Sequence, residues 1–481
     1  MPMALRTVIL GALLPLSLSS VAQQKAAVSP FIKQDAPVLV LEHVALIDGT
    51  GAAPQQDMSI EIAGGKITAV ETAQSHHASA PNAKVLDMTG KTIIPGLVGM
   101  HEHFFYPAPR RPAGGVYLYG EAADSAPRLY LAGGVTTART GGSLDPYTDL
   151  ELKRAIDAGE MPGPKLDVTG PYLEGAGKFA IQMHQLTGPD DAARLVDYWA
   201  AEGVTSFKAY NYLTPEELKA AIDHAHAHGL KITGHLCSIG FREAAALGID
   251  NLEHGLAEDT EFYPTKKPGE CPPLDAVEKS LETLDVASPQ VQQMIGDLVA
   301  HHVAITSTLA ILETFATNRP PMERESAALK TLTVEAAKDY LARRAVVAQQ
   351  SGGDKLLALE MRFEHAFVDA GGLLMAGCDP TGYGGVVPGF GDQRNIELLV
   401  EAGFTPVQAI RIASLNGATY MGKEAVIGSI APGKAADIIV LGGNPAEKIE
   451  NVEKVELVFK DGVGYDPAAL IESVSGLVGL R

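Results

Sequence analysis

The chain has 481 residues, of which 46% are hydrophobic, 20% charged and 6% aromatic, with 50 Gly and 30 Pro. This length and composition predict a large globular core and exclude disordered, fibrous and multi-span membrane proteins. The formal net charge is −20. Because phosphate backbones and anionic lipids would be repelled by such a surface, nucleic acid and lipid bilayers are not expected as partners.

The N-terminus has the pattern of a secretory signal peptide. A basic residue precedes an apolar run over residues 7–18, and the small residues Ser20 and Ala22 follow. This pattern predicts cleavage after Ala22, so residues 1–22 are interpreted as a signal peptide, with a retained membrane anchor as the less favoured alternative. The mature protein is therefore expected to be periplasmic or secreted, without stable membrane insertion.

The chain contains three cysteines, Cys237, Cys271 and Cys378. In an oxidising compartment, an odd number leaves at least one free thiol or an intermolecular bond. The chain is also long enough to fold without disulfide bonds. We therefore predict no disulfide framework.

Short apolar segments alternate with turns near both ends of the chain. Segments of this kind occupy residues 38–41, 45–47, 59–62, 66–70 and 92–94, and again 436–441 and 455–460. Strands of this length and spacing predict an all-β unit. The simplest arrangement is a small β-sandwich domain built from residues 23–94 and 422–481, which flanks a larger domain over residues 95–421.

The larger domain alternates short apolar strands with helical stretches rich in Ala, Leu, Glu and Lys. The predicted strands cover residues 94–100, 134–139, 165–173, 204–210, 230–235, 251–254, 303–308 and 373–378. Thr214, followed by Pro215 and two Glu residues, is a strong helix start. Eight strands in this alternation predict an α/β fold of the (β/α)8 TIM-barrel type. A doubly wound open sheet is the alternative, weakened because no Gly-rich dinucleotide turn follows an early strand.

Candidate metal ligands stand where the predicted strands end. His101 and His103 close the first strand, and their i, i+2 spacing directs both imidazoles to one side. Such a pair alone is weak support for a metal site, because a chance surface pair explains it equally well. Further candidates lie at or next to the carboxyl ends of later strands, which form the catalytic face of such a barrel: Lys208, His235, His254 and Asp379. Five strand ends with metal-competent groups are hard to explain without a shared metal centre.

Four motifs accompany these residues in chain order: Ile-Pro-Gly-Leu-Val at 94–98, Gly-Gly-Val-Thr-Thr at 133–137, Ser-Leu-Asn-Gly-Ala at 414–418, and Gly-Ser-Ile-Ala-Pro-Gly-Lys-Ala-Ala-Asp at 428–437. With them the chain resembles the amidohydrolase superfamily, in the group with a two-metal centre and imidazolonepropionase-like or dipeptidase-like members. The resemblance covers nearly the whole mature chain. It is specific to the superfamily and says little about the substrate.

The resemblance implies a site for two divalent metal ions, with zinc as the expected metal. His101, His103 and Asp379 would bind the first ion, His235 and His254 would bind the second, and Lys208 would lie between them. Lys208 would be N-carboxylated, which turns a cation into an anionic oxygen pair suited to zinc. A bridging water would be ionised near neutral pH. Asp379 would take its proton and pass it to the departing amine.

The residues that contact the substrate are less well specified. Tyr210, two residues after Lys208, points the same way and could donate a hydrogen bond to the scissile carbonyl oxygen, and His184 in the loop after strand three is a second candidate. Arg139, at the end of strand two, could pair with a substrate carboxylate. Related dipeptidases often carry Tyr two places after the fifth-strand His, where this chain has Cys237. The carbonyl-binding role is therefore divided between Tyr210 and His184.

Three functions are weighed on this basis. The leading hypothesis is a secreted two-metal hydrolase that cleaves the amide bonds of dipeptides or N-acyl amino acids. An alternative keeps the same site but opens a cyclic amide, a lactone or another ester. A non-catalytic periplasmic solute-binding protein is disfavoured, because it would not need metal-competent groups at five strand ends. A homo-oligomer is compatible with each of these functions.

Overall fold

The computed structural model describes residues 27–108, 118–177, 180–317, 319, 327–350, 352–381 and 384–479. The predicted signal peptide at residues 1–22 lies outside this part of the chain. Among the described residues, none of the helices has both the length and the apolar character needed to cross a membrane.

Strands from both ends of the chain form one mixed sheet. Its members in chain order are Ile32–Gln34, Val38–Leu46, Gln55–Ala63, Lys66–Thr72, Lys84–Asp87, Thr92–Pro95, Ile438–Leu441, Val455–Lys460 and Val463–Tyr465. The two ends of the chain meet where Ile94 pairs antiparallel with Ile439. Buried side chains such as Leu41, Ile60 and Phe459 form a single apolar cluster inside this sheet.

The expected β-sandwich is, in the described residues, one connected sheet. Val38–Leu46 pairs with Lys84–Asp87 over its first half and with Thr92–Pro95 near its end. The change of partner coincides with a register irregularity at His43, whose φ is 60°. A residue in this left-handed conformation bends a strand. One strand therefore connects both parts of the sheet, and its buried side chains belong to the same apolar cluster.

Eight parallel strands lie between these ends. They are Leu97–Glu102, Val135–Thr140, Lys165–Asp167 continued by Thr169–Leu173, Ser206–Ala209, Lys231–Gly234, Asn251–Glu253, Ala304–Ser307 and Leu374–Ala376. Each pairs with the next in chain order, and the third does so through both of its halves, which are separated at Val168. Just beyond the eighth strand, the backbone N–H of Asp379 donates to the carbonyl oxygen of His101 in the first, at 3.0 Å. Both ends of the series are thus in contact.

Helices lie between and after these strands along the chain, and one further helix follows the last strand of the mixed sheet. The α-helices are Ala126–Ala132, Pro146–Asp157, Pro189–Glu202, Pro215–Ala227, Phe241–Leu247, Leu274–Leu281, Pro289–Ala300, Leu309–Glu313, Val334–Val347, Gly353–Asp369, Phe390–Glu401, Pro406–Arg411, Gly417–Tyr420 and Pro467–Glu472. The predicted helix start at Thr214 is confirmed. Thr214 Oγ1 accepts from the N–H of Glu217 at 3.1 Å, and Glu217 Oε2 accepts from the N–H of Thr214 at 2.9 Å.

The prediction of no disulfide framework is corrected by one bond, between Cys237 and Cys271. The segment after the sixth parallel strand folds back over the end of the fifth, where Thr260 Oγ1 donates to the carbonyl oxygen of Cys237 at 2.6 Å. This return brings the Cα atoms of the two cysteines to 4.9 Å, a separation that a disulfide spans without distortion. Cys378 is free and buried.

Candidate metal centre

The carboxyl ends of the first and eighth parallel strands bring three metal-competent groups together. His101, His103 and Asp379 are buried, and one ligand atom from each lies within 4.8 Å of the other two. Asp379 Oδ1 is 3.3 Å from His103 Nε2 and 3.7 Å from His101 Nε2. The i, i+2 spacing of the two histidines does direct both imidazoles to one point.

The orientation of each imidazole is fixed through its other nitrogen. The Nδ1 atoms of three histidines each have a polar partner: His101 with Glu253 Oε2 at 2.8 Å, His103 with Gly142 O at 3.2 Å, and His254 with Thr308 Oγ1 at 2.6 Å. All three Nε2 atoms face the Asp379 carboxylate. Pairing of the outer nitrogen in this way orients histidines that bind metal ions in proteins.

The protonation states of these groups suit a metal ion. Burial, and then the charge of Lys208, lower the pKa of His101 to about 4. Burial also lowers the pKa of His103 and of His254. Burial by itself would raise the pKa of Asp379, but His101 and the neighbouring histidines hold it well below its usual value. The site therefore offers neutral imidazoles and an ionised carboxylate, which are donors that zinc accepts.

The remaining predicted ligands adjoin this group. Lys208 Nζ is 3.2 Å from His101 Nε2, and His254 Nε2 is 3.8 Å from Asp379 Oδ2. The ring centroids of His235 and His254 are 4.7 Å apart. His235 differs from the other three histidines, because its Nε2, and not its Nδ1, contacts a neighbouring side chain. This Nε2 lies 3.2 Å from Glu258 Oε2. All six predicted ligands thus line one cavity.

The cavity has a volume of about 440 Å³, and its described walls are largely aromatic and aliphatic. Tyr210 lies in it, with its ring centroid 4.8 Å from that of His235 and 5.0 Å from that of Tyr172. Leu274 and Val277, from the long segment after the sixth strand, also line it. The structure therefore places Tyr210 next to the predicted metal ligands.

His184 does not line the cavity. Its side chain is 47% exposed, and its Nε2 lies 2.9 Å from Asp191 Oδ2 near the start of the helix Pro189–Glu202. The expected contact with the substrate carbonyl is therefore not supported. The loop that carries His184 continues directly into this helix, so the imidazole pairs locally with Asp191.

Arg139 also differs from expectation. Its side chain is 1% exposed, with Nε donating to Met100 O and Nη2 to Glu253 Oε1, each at 2.8 Å. The guanidinium therefore lies among the parallel strands beneath the metal ligands, where it neutralises Glu253. It does not line the cavity, so the predicted pairing with a substrate carboxylate is not supported.

Several residues of the site were missed from the sequence. Glu253 orients His101, Glu258 contacts His235, and Thr381 Oγ1 donates to Asp379 Oδ1 at 2.7 Å. Each of the three is separated by at most four residues from a predicted ligand in the sequence. Proximity in the sequence was therefore an available signal, although it does not identify which neighbouring side chain faces a ligand.

The amino-acid sequence is similar to those of known proteins. The profile of the amidohydrolase family matches residues 92–463. Imidazolonepropionase from Geobacillus sp. (strain WCH70) is 25% identical over 250 residues, which cover 42% of this chain and 58% of that relative. The chain thus spans less than two thirds of that relative's length.

Solved structures share the fold. A Xaa-Pro dipeptidase with bound methionine is similar with a TM-score of 0.64 and 21% identity, over 89% of this chain and 100% of that one. Bottromycin amidohydrolase is similar with a TM-score of 0.65 and 19% identity, over 96% of this chain and 95% of that one. With the family profile matched over most of its length, the chain belongs to the amidohydrolase family, which confirms the predicted superfamily and the predicted hydrolase class.

Proposed function

We propose that the protein is a two-metal hydrolase that cleaves the amide bonds of dipeptides or N-acyl amino acids. One observation carries the proposal: six metal-competent side chains from five strand ends line one cavity, and three of the imidazoles are oriented through Nδ1. A binding protein would not need this arrangement. Zinc is the expected ion, since imidazole and carboxylate are among its usual ligands.

The donor set fits two divalent ions, with His101, His103 and Asp379 for the first, His235 and His254 for the second, and Lys208 shared between them. When bound, such an ion pair supplies an electrophile for the carbonyl oxygen and lowers the pKa of water. Carboxylation of Lys208 requires its neutral amine. Burial lowers the pKa of Lys208 to about 8, which favours that form.

The side chains of the cavity would perform the proton transfers. The ionised Asp379 would accept a proton from the attacking water and deliver it to the departing amine. The hydroxyl of Thr381 on Asp379 Oδ1 orients this carboxylate. Burial raises the pKa of Tyr210 well above its ordinary value, so its hydroxyl keeps its proton and can donate to the scissile carbonyl oxygen.

The fold and the location of the protein form part of the same proposal. We propose that the eight parallel strands close into a (β/α)8 barrel over residues 95–421, supported by the hydrogen bond from Asp379 to His101. Residues 23–94 and 422–481 would form the smaller domain. Export to the periplasm or the medium is supported by the N-terminal pattern and by the Cys237–Cys271 bond, which is typical of an oxidising compartment.

The proposal is tested with zinc-loaded enzyme against dipeptides, N-acyl amino acids, cyclic amides and lactones. Release of free amine from the acyclic substrates, lost on chelation and restored by zinc, is the expected result. Activity confined to cyclic amides or lactones would favour the alternative substrate class. Absence of bound metal together with inactivity on every substrate would refute the proposal.

A further inference from the structure

A buried polar cluster lies behind the metal centre, on the other side of the strands. Glu102 stands between His101 and His103, and the alternation of a strand turns its side chain away from theirs. Its carboxyl group is fully buried. Ligand-type atoms of Glu102, Cys378 and Asp392 lie within 4.8 Å of one another. None of these three residues lines the cavity that contains the metal ligands.

Glu102 is joined to the residue that precedes the metal-binding aspartate. The backbone N–H of Cys378 donates to Glu102 Oε1 at 3.2 Å, and the thiol of Cys378 donates to Glu102 Oε2 at 3.0 Å. One side chain of the first strand therefore holds the eighth strand through two hydrogen bonds. These bonds link the backbone that carries His101 and His103 to the backbone that carries Asp379.

The cluster also reaches the surrounding helices. Asp392 is the third member of the cluster, and its carboxylate oxygen lies within 4.8 Å of the ligand-type atoms of Glu102 and Cys378. Asp392 Oδ2 accepts from the N–H of Gly389 at 2.9 Å, at the start of the helix Phe390–Glu401. The hydroxyl of Tyr130 donates to the carbonyl oxygen of His103 at 3.0 Å. Two helices thus contact this strand, one near Glu102 and one at His103.

The backbone of Asp379 explains why such an anchor matters. Its φ is 51°, in the left-handed region, which Asp adopts more readily than most residues but which is uncommon outside Gly. Contacts with the surroundings help to hold a residue in this conformation. The bonds from Cys378 to Glu102, together with the bond from the N–H of Asp379 to His101 O, supply that constraint.

We propose that Glu102 is a positioning residue for the metal centre: it sets the distance between the His101–His103 pair and Asp379. This inference rests on the proposed function, because it concerns the same centre. It assigns to the residue between the two histidines a role that is distinct from metal ligation and from contact with the substrate.

The test compares Glu102→Ala, Glu102→Gln and the control Glu61→Ala. Glu61 is a buried carboxylate of the mixed sheet, bonded to Thr68 Oγ1 and to the N–H of Ser79. Zinc affinity is measured by competition with a chromophoric chelator, and kcat and KM are measured at saturating zinc. Glu102→Ala is expected to lose zinc affinity by about tenfold or more, as outer residues of metal sites do, and to lower kcat with little change in KM.

Glu102→Gln should recover part of the affinity and of kcat, because its amide oxygen still accepts from the N–H of Cys378, whereas its NH2 group cannot accept from the thiol. Glu61→Ala should leave both quantities unchanged. If Glu102→Ala does not fold, Glu102→Asp, which shortens the side chain by one methylene, is expected to show the same loss in a folded protein. Parental zinc affinity and kcat in folded Glu102→Ala or Glu102→Asp would overturn the inference and leave the proposed function intact. A parent protein that binds no zinc would refute both.

Discussion

The Cys237–Cys271 bond is predicted to contribute strongly to stability and to the shape of the cavity. The two cysteines are 34 residues apart in the sequence. Closing a loop of this length lowers the entropy of the unfolded chain by about 13 cal/mol/K, which corresponds to about 4 kcal/mol at 25 °C. Replacing both cysteines by Ala should therefore lower the free energy of unfolding by about 3–4 kcal/mol. The closed segment carries Glu258, and Leu274 and Val277 lie just beyond it, so the cavity wall should also loosen and KM should rise.

The assay is urea unfolding of the metal-free parent and of the Cys237→Ala/Cys271→Ala variant, followed by two optical probes to check for a single transition. Reductant should shift the parent to the stability of the variant and leave the variant unchanged. Thiol titration of the denatured, unreduced parent should find one reactive thiol, that of Cys378. Three reactive thiols, or equal stability of parent and variant, would refute the reasoning.

Three further predictions concern the metal centre. Lys208→Ala and Asp379→Asn should reduce bound metal, measured by elemental analysis, and lower kcat by at least about a thousandfold; turnover at the parental rate in either variant would contradict the assignment. Reactivation of the metal-free enzyme by zinc at a constant concentration of dissolved carbon dioxide should be faster at pH 9 than at pH 7, because burial lowers the pKa of Lys208 to about 8 and only the neutral amine, which predominates above that pH, reacts with carbon dioxide. A rate that does not change with pH would argue against carboxylation. Tyr210→Phe should lower kcat by about tenfold to a hundredfold at constant metal content, whereas His184→Ala, whose imidazole is exposed and paired with Asp191, should stay close to the parent. Equal effects of these two substitutions on kcat would contradict the placement of Tyr210, and not His184, in the substrate cavity.

Much of the fold could be predicted because its signals are local. Each of the eight predicted parallel strands overlaps an observed one, since a short apolar run bounded by turns is visible within a few residues. The helix start at Thr214 depends on residues three apart, and its reciprocal hydrogen bonds are present. The shared strand Val38–Leu46 was not foreseen, because the bend at His43 depends on two partners that lie far along the chain.

The orientation of the predicted substrate-contacting residues could not be predicted from nearby sequence. Tyr210 and Arg139 were both placed near strand ends, yet Tyr210 lines the cavity while Arg139 pairs with Glu253 beneath the ligands. His184 pairs with Asp191 because the adjacent helix begins there. The orientation of Arg139 and of His184 depends on the nearest group of opposite charge, and tertiary packing determines which group that is.

Sequence patterns were enough to predict the family, the alternation of strands and helices, and the six candidate ligands that line one cavity, because strand ends and i, i+2 spacing are properties of a short stretch of backbone. The folded chain was needed to show which nitrogen of three histidines faces Asp379, that Cys237 pairs with Cys271, and that Glu102 joins the first strand to the eighth. Those features are contacts between residues far apart in the chain, and they exist only once the parallel strands have packed side by side.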